Sequence, residues 1–444
     1  MFPFLSRLTD ILSRDFHLHR RLARVWARRV GFWAGALGVA TAAIIFAWVA
    51  NRAFGLFERM VAASPYLAIL LAPLSLVAIV YVTRRFFPGA QGSGIPQVIV
   101  AARDPAFAES GVLSLRIAFG KMVMTTLGLL GGASIGREGP TVQVGAAVML
   151  ALGRRLGLAG PGMSRALALG GGAAGVAAAF NTPLAGVVFA IEELAGSFEH
   201  RTSGTVFTAV IVAGIASLAV LGDYTYFGHS DATLNLANGT LPVLLCGIAG
   251  GLLGGAFARL LIATARGFPG RAGRAIKDHP LIFALLCGLL LAAIGLASGG
   301  TTYGTGYDET RALFAGNGPR MAGWGLLKLA ATLVSYISGV PGGIFSPSLA
   351  AGAGIGAEIG RYLPHAPMGA VILLGMTAYF AGVVQAPITS VVIVLEMTDN
   401  QSMTLPLMVA AFIAFSLSKL VCRKPLYRAL ADAFINSSLR QIDK

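Results

Sequence analysis

The sequence predicts an all-α integral membrane protein made of two similar halves, each containing helices that break at membrane depth. Three observations carry that expectation. First, 56% of the 444 residues are hydrophobic and 12% are charged, with a mean hydropathy of +0.75. A soluble domain carries about 25% charged residues, so a soluble fold is excluded. Second, residues 31–50, 66–82, 241–265, 281–297 and 405–421 are apolar and long enough to cross a bilayer as helices. Third, residues 140–152, 184–191 and 388–395 are apolar but short, and each begins at or just after a proline. Broken helices are tolerated in a membrane only where their ends are buried in protein or line a cavity, as in a pore or transporter core.

From the N-terminus, Arg7, Arg14, Arg20, Arg21, Arg24, Arg28 and Arg29 precede the first span, and Lys419, Arg423, Lys424 and Arg428 follow the last. Basic residues flank spans on the cytoplasmic side, so both termini are expected there. Residues 1–30 alternate apolar and basic residues like an amphipathic helix lying on the membrane surface, with no removable signal peptide. Residues 31–433 form the transmembrane domain and residues 434–444 a cytoplasmic tail. The net charge of +15 is thus explained by orientation, with no nucleic-acid partner. Residues 222–242, which carry two aspartates and no Lys or Arg, should face outward. The three cysteines lack metal-ligand spacing; no metal is expected.

The halves are visible as an internal repeat. Lys121 precedes Pro140 by 19 residues, and Lys328 precedes Pro347 by 19. NTPLAGVVFAIEE (residues 181–193) also aligns with QAPITSVVIVLEM (residues 385–397), pairing Pro183 with Pro387 and Glu192 with Glu396. One repeat spans about 31–221 and the other about 241–433. Repeats of discontinuous helices that meet at an ion site characterise many transporters.

GREGPTVQVG (residues 136–145) is the centre of the pattern, because charged residues at bilayer depth mark ion pathways or proton relays. Gly136 and Gly139 allow close backbone approach, and Pro140 suits a first helical turn. The helix end offers N–H groups to an anion. Glu138 beside it is a gate candidate; the alternative is an interfacial salt bridge between Arg137 and Glu138. GSGIPQ (residues 92–97, with Gly92, Gly94 and Pro96) and GGIFSP (residues 342–347) repeat the glycine-turn and proline logic. Several helix ends could therefore converge on one anion without a Lys or Arg, binding it weakly enough to let it leave. Ser93 and, in KPLYRAL (residues 424–430), Tyr427 would add hydroxyls.

These stretches, GSGIP, GREGP, GGIFSP and the KPLY tyrosine, closely resemble the CLC family of chloride channels and chloride/proton exchangers, in order and spacing. The resemblance implies two inverted-topology repeats of discontinuous, tilted helices, and a homodimer with one pore per subunit. It implies Ser93, Tyr427 and the N–H groups of Ile344 and Phe345 as anion ligands, and Glu138 as external gating glutamate. Glu193, with Glu192 beside it, matches the internal proton-transfer site of the exchangers. The implied function is chloride/proton antiport in the plasma membrane, the inner membrane if bacterial, with a passive chloride channel as alternative. Chloride ions are the substrate, no cofactor is expected, and the protein is not an enzyme. An intramembrane serine protease would need a histidine beside a nucleophile, and all six histidines fall in terminal or loop segments. The chain departs from the family at Gln97, where GSGIPE is common, and at Ser346, where GGIFAP is common. It ends 17 residues after Tyr427, so paired cytoplasmic nucleotide-binding domains are not expected. Protons must move on carboxylates, with protonation and anion occupancy coupled at Glu138.

Overall fold

A computed structural model describes residues 2–442 except 158–159, 198–199, 223–224, 235 and 268–269. The N-terminal half contains α1 (Phe2–Ala63), α2 (Leu67–Phe86), α3 (Ile95–Arg103), α4 (Pro105–Glu109), α5 (Leu115–Leu130), α6 (Glu138–Arg155) and α7 (Pro161–Phe180). It continues with α8 (Pro183–Phe189), which runs into a π-helical turn at Ala190–Ala195, and α9 (His200–Leu221). The C-terminal half comprises α10 (Leu236–Arg266), α11 (Gly270–Asp278), α12 (Pro280–Ala297), α13 (Tyr307–Phe314), α14 (Trp324–Ile337) and α15 (Phe345–Arg361). It closes with α16 (Met368–Val384), α17 (Pro387–Thr398), α18 (Thr404–Val421) and α19 (Leu426–Ile442). Among the described residues, seven helices are long and apolar enough to cross a membrane.

All five expected spans are helical, with shifted ends. The first does not stop near residue 50: α1 is one helix of 62 residues, continuous from Phe2. α7 and α9 also reach spanning length, although the sequence pattern did not single them out. α7 is rich in Gly and Ala and largely buried inside the molecule, which makes its hydropathy modest.

The repeats meet about a pseudo-two-fold relation that pairs residues with their own counterparts. Gly136 and Gly343 exchange both backbone hydrogen bonds, at 2.7 Å each, in an antiparallel bridge. Around it, Thr125 donates to the Pro341 carbonyl at 3.2 Å, while the counterpart pair Thr332 and Ser134 joins its hydroxyls at 3.0 Å. Glycine is required where the helices of a repeat cross. A Cβ on Gly145 of α6 would lie 2.2 Å from the Gly171 carbonyl oxygen of α7. One on its counterpart Gly352 of α15 would lie 2.6 Å from the Gly375 carbonyl oxygen of α16.

The two repeat-matched lysines are both fully buried, yet they are not equally satisfied. The Lys328 ammonium donates to the carbonyls of Thr302, Tyr303 and Gly304 at 3.0, 3.1 and 2.8 Å, closing the loop before α13. Lys121 reaches the Gln91 carbonyl at 3.5 Å. Removing a buried charged donor that serves several acceptors is costly. Lys328→Met should lower unfolding stability in detergent by about 3 kcal/mol, and Lys121→Met by less than about 1 kcal/mol. Thermal unfolding of the two variants measures the contrast; equal losses would contradict it.

Candidate functional site

The site grows from the starts of α3, α6, α15 and α19. Gly92 and Gly94 adopt φ of 67° and 101°, a left-handed backbone suited to glycine. They turn the chain so that α3 begins at Ile95, two residues after Ser93, with Gly94 as its N-cap and Pro96 in its first turn. The Gly342 N–H donates to the Gly92 carbonyl at 3.1 Å, tying this turn to the start of α15. Gly139 is held between them: a Cβ there would sit 2.4 Å from Ser93 Oγ and 3.3 Å from the Gly343 Cα. Pro140 falls in the first turn of α6, which starts two residues earlier, at Glu138.

Ser93 and Tyr427 are buried; their hydroxyls approach one another closely enough to interact, but neither makes a hydrogen bond of good geometry. The Tyr427 ring stacks on Phe345 with centroids 6.1 Å apart. Ser93, Glu138 and Glu193 all lie within electrostatic range of the Tyr427 hydroxyl. Phe345 is packed among Phe180, Phe189 and Phe380 at 5.9, 5.6 and 4.7 Å. These rings fix the first turn of α15, whose N–H groups have no acceptor within the helix. Buried polar groups are normally paired; here two buried hydroxyls lie near a helix start whose first N–H groups have no acceptor within the helix, donor chemistry that suits a small anion. Fixed neutral donors suit an ion that must also leave.

Glu138 is buried, 1% exposed. Its Oε1 accepts from the Ser346 hydroxyl at 2.7 Å, and Oε2 has no partner. The salt-bridge alternative fails. Arg137 turns away, donating to the Ala47 carbonyl at 3.1 Å and to Asn51 Oδ1 of α1. The carboxylate is thus left within electrostatic range of Tyr427 without a cation bound to it.

Glu193 and Glu192 share the π-helical turn but sit differently. Glu193 is buried with Oε1 unpartnered, and the charges of Arg428 and Arg103 act on it. Glu192 is engaged: its two oxygens accept from the N–H groups of Ile388 and Thr389 at 3.3 and 2.7 Å, capping α17. In return Glu396 accepts from the N–H groups of Leu184 and Ala185 at 3.0 and 2.6 Å, capping α8. A carboxylate at a helix start meets both the free N–H groups and the positive end of the dipole. The sequence alignment paired these acids without assigning Glu396 a task.

Tyr336 was also missed. Its hydroxyl lies beside the Gly92–Ser93 backbone, and a tyrosine inside α14 gives no local signal. Gln97 keeps local packing intact by donating to the carbonyls of Gly89 and Gln91 at 3.2 and 2.8 Å.

Residues 74–419 match the family model described as voltage gated chloride channel. The chain is 34% identical over 423 residues to the H(+)/Cl(-) exchange transporter ClcA of Klebsiella pneumoniae, covering 90% of this chain and 86% of the relative. It is 32% identical over 438 residues to ClcA of Salmonella typhimurium, covering 94% and 89%. Among solved structures it resembles a slow cyanobacterial Cl-/H+ antiporter, with TM-score 0.76, 23% identity and coverage of 92% and 97%. It also resembles a CLC-type fluoride/proton antiporter, with TM-score 0.74, 25% identity and coverage of 91% and 98%.

Because a methyl at residue 139 would collide with Ser93 Oγ, Gly139→Ala should weaken binding of chloride or bromide at least about tenfold, or 1.4 kcal/mol. Calorimetric titration of the detergent-solubilised protein reads this directly, with unchanged helical circular dichroism as the control.

Proposed function

Because the chain belongs to the voltage gated chloride channel family, we propose that it exchanges chloride for protons across a membrane, using Glu138 as a gate common to both ions. The observation that carries this reading is the row of buried oxygens that make no hydrogen bond of good geometry, Glu138 Oε2, Ser93 Oγ, Tyr427 Oη and Glu193 Oε1, with Tyr427 in electrostatic range of the other three residues. Hydroxyls and helix N–H groups can hold chloride, and the two carboxylates can carry protons. Ionised, Glu138 occupies the anion path; protonated, it swings aside and admits an ion. The relatives named as H(+)/Cl(-) exchange transporters support the same coupling.

Glu193 is the internal proton donor in this scheme because its carboxyl has an oxygen to spare. Glu192 spends both of its oxygens on α17 and holds the turn that presents its neighbour. The working unit is a homodimer with one pore per subunit. Its interface is proposed along the apolar face where α18 exposes Leu405, Val409 and Phe412 and α17 exposes Ile388. The protein resides in the plasma membrane, the inner membrane in a bacterium. Both termini are cytoplasmic, a placement supported by the basic residues flanking the first and last spans.

In reconstituted vesicles, Glu138→Gln should abolish proton movement while chloride flux persists and loses its dependence on external pH. Glu193→Gln should also stop protons but keep that dependence, since the gate still titrates. Glu192→Gln should retain coupling and instead lower thermal stability. Wild-type protein that moves chloride without lifting protons against their gradient would leave a passive channel in place of the exchanger.

A further inference from the structure

The residue that departs from the family's common GGIFAP is the one that touches the gate. Ser346 lies in the first turn of α15, is completely buried, and donates its hydroxyl to Glu138 Oε1 at 2.7 Å. An ionised carboxylate only accepts, so the direction of this bond is fixed by chemistry. Resting on the reading of Glu138 as the gate, we propose that Ser346 is a positioning residue that latches the ionised gate closed. A hydrogen bond to a charged acceptor is about twice as strong as one between neutral groups, and no bulk water competes at this depth. The serine therefore favours the ionised, blocking carboxylate over the protonated one that must leave.

The surroundings leave this role to Ser346. Of the charged and titratable groups on α6 and on helices packed against it, Arg137 is committed to α1. Lys121 on α5 turns to the Gln91 carbonyl, and Arg165 on α7 to the Ala102 carbonyl. On α15, Glu358 and Arg361 pair with each other. Tyr427 on α19 is the phenol within range. From the segment joining the repeats, the Tyr226 hydroxyl comes within 3.5 Å of Ser346 Oγ. It is held there by edge contacts to Phe180 and Tyr307, at 5.5 and 4.8 Å. Tyr226 thus backs the latch from the linker between the halves.

The sign follows from the bond. Removing the donor destabilises the ionised gate, so the gate protonates and opens at a higher external pH. In vesicles, the external pH at half-maximal chloride flux should rise by about one unit in Ser346→Ala, a tenfold change in proton requirement. Ser346→Gly should do the same. Ser346→Cys, a weaker donor of similar size, should fall between, and Tyr226→Phe should shift the midpoint in the same direction by less. If the alanine variant does not assemble, the cysteine and glycine variants carry the comparison. Added to Glu138→Gln, Ser346→Ala should produce no further change in the pH profile. Wild-type midpoints in the alanine, glycine and cysteine variants, or a shift that survives in the Glu138→Gln background, would overturn the latch. Retention of the full wild-type pH profile by Glu138→Gln itself would instead reject the gate reading, so the two failures are distinguishable.

Discussion

Two backbone hydrogen bonds, exchanged between Gly136 and Gly343, join the repeats where four helices begin. In a bilayer every backbone N–H and C=O needs a partner, and helix starts carry unpaired N–H groups. Breaking helices there creates a debt that must be met locally. The pairing of the two glycine turns satisfies the backbone just before α6 and α15, and the first N–H groups of both helices have no acceptor within their helices. Side chains at these positions would collide with their surroundings, as the Cβ clashes around Gly139 show. The close approach of Gly139 to Ser93 and Gly343 is therefore a product of the same backbone junction that joins the repeats.

The acids divide according to the same accounting. Glu192 and Glu396 neutralise the starts of α17 and α8, each acting across the repeat boundary, and so are structural in the strict sense. Glu138 and Glu193 each keep an oxygen unpaired while buried, which leaves that oxygen free to bind a proton under the proposed exchange. Two neighbours in one π-helical turn thus do opposite things. Adjacent residues on a helix point in different directions, and here the two carboxylates sit at a π-helical turn, a feature often found at functional positions.

Much of this was legible in the sequence, for reasons specific to particular residues. Glycine and proline act through backbone geometry that any copy of them imposes, so the turns at residues 92–96, 136–140 and 342–347 and their convergence could be read. The resemblance placed Ser93 and Tyr427, which the structure brings to one another. The pairing of Glu192 with Glu396 was visible as an alignment, but its meaning was not, because each acid serves a helix about 200 residues away. Ser346 read as a packing variant; its importance depends on the rotamer of Glu138 and has no local signature. Tyr336 and Tyr226 reach the site through tertiary packing alone. The Gly- and Ala-rich α7 escaped because its burial is against protein, so hydropathy was not the property its composition served.

The reciprocal carboxylate caps also bear on how such a chain is made. When the first repeat leaves the ribosome, α8 has no carboxylate at its start and Glu192 has no helix to cap; both wait for residues 387–396. Gly136 likewise lacks its partner. The first half therefore enters the bilayer with exposed polar backbone that its own sequence cannot cover, an unfavourable state in hydrocarbon. Insertion of the second half supplies the missing partners of Leu184, Ala185 and Gly136 and so completes the first half's own hydrogen bonding.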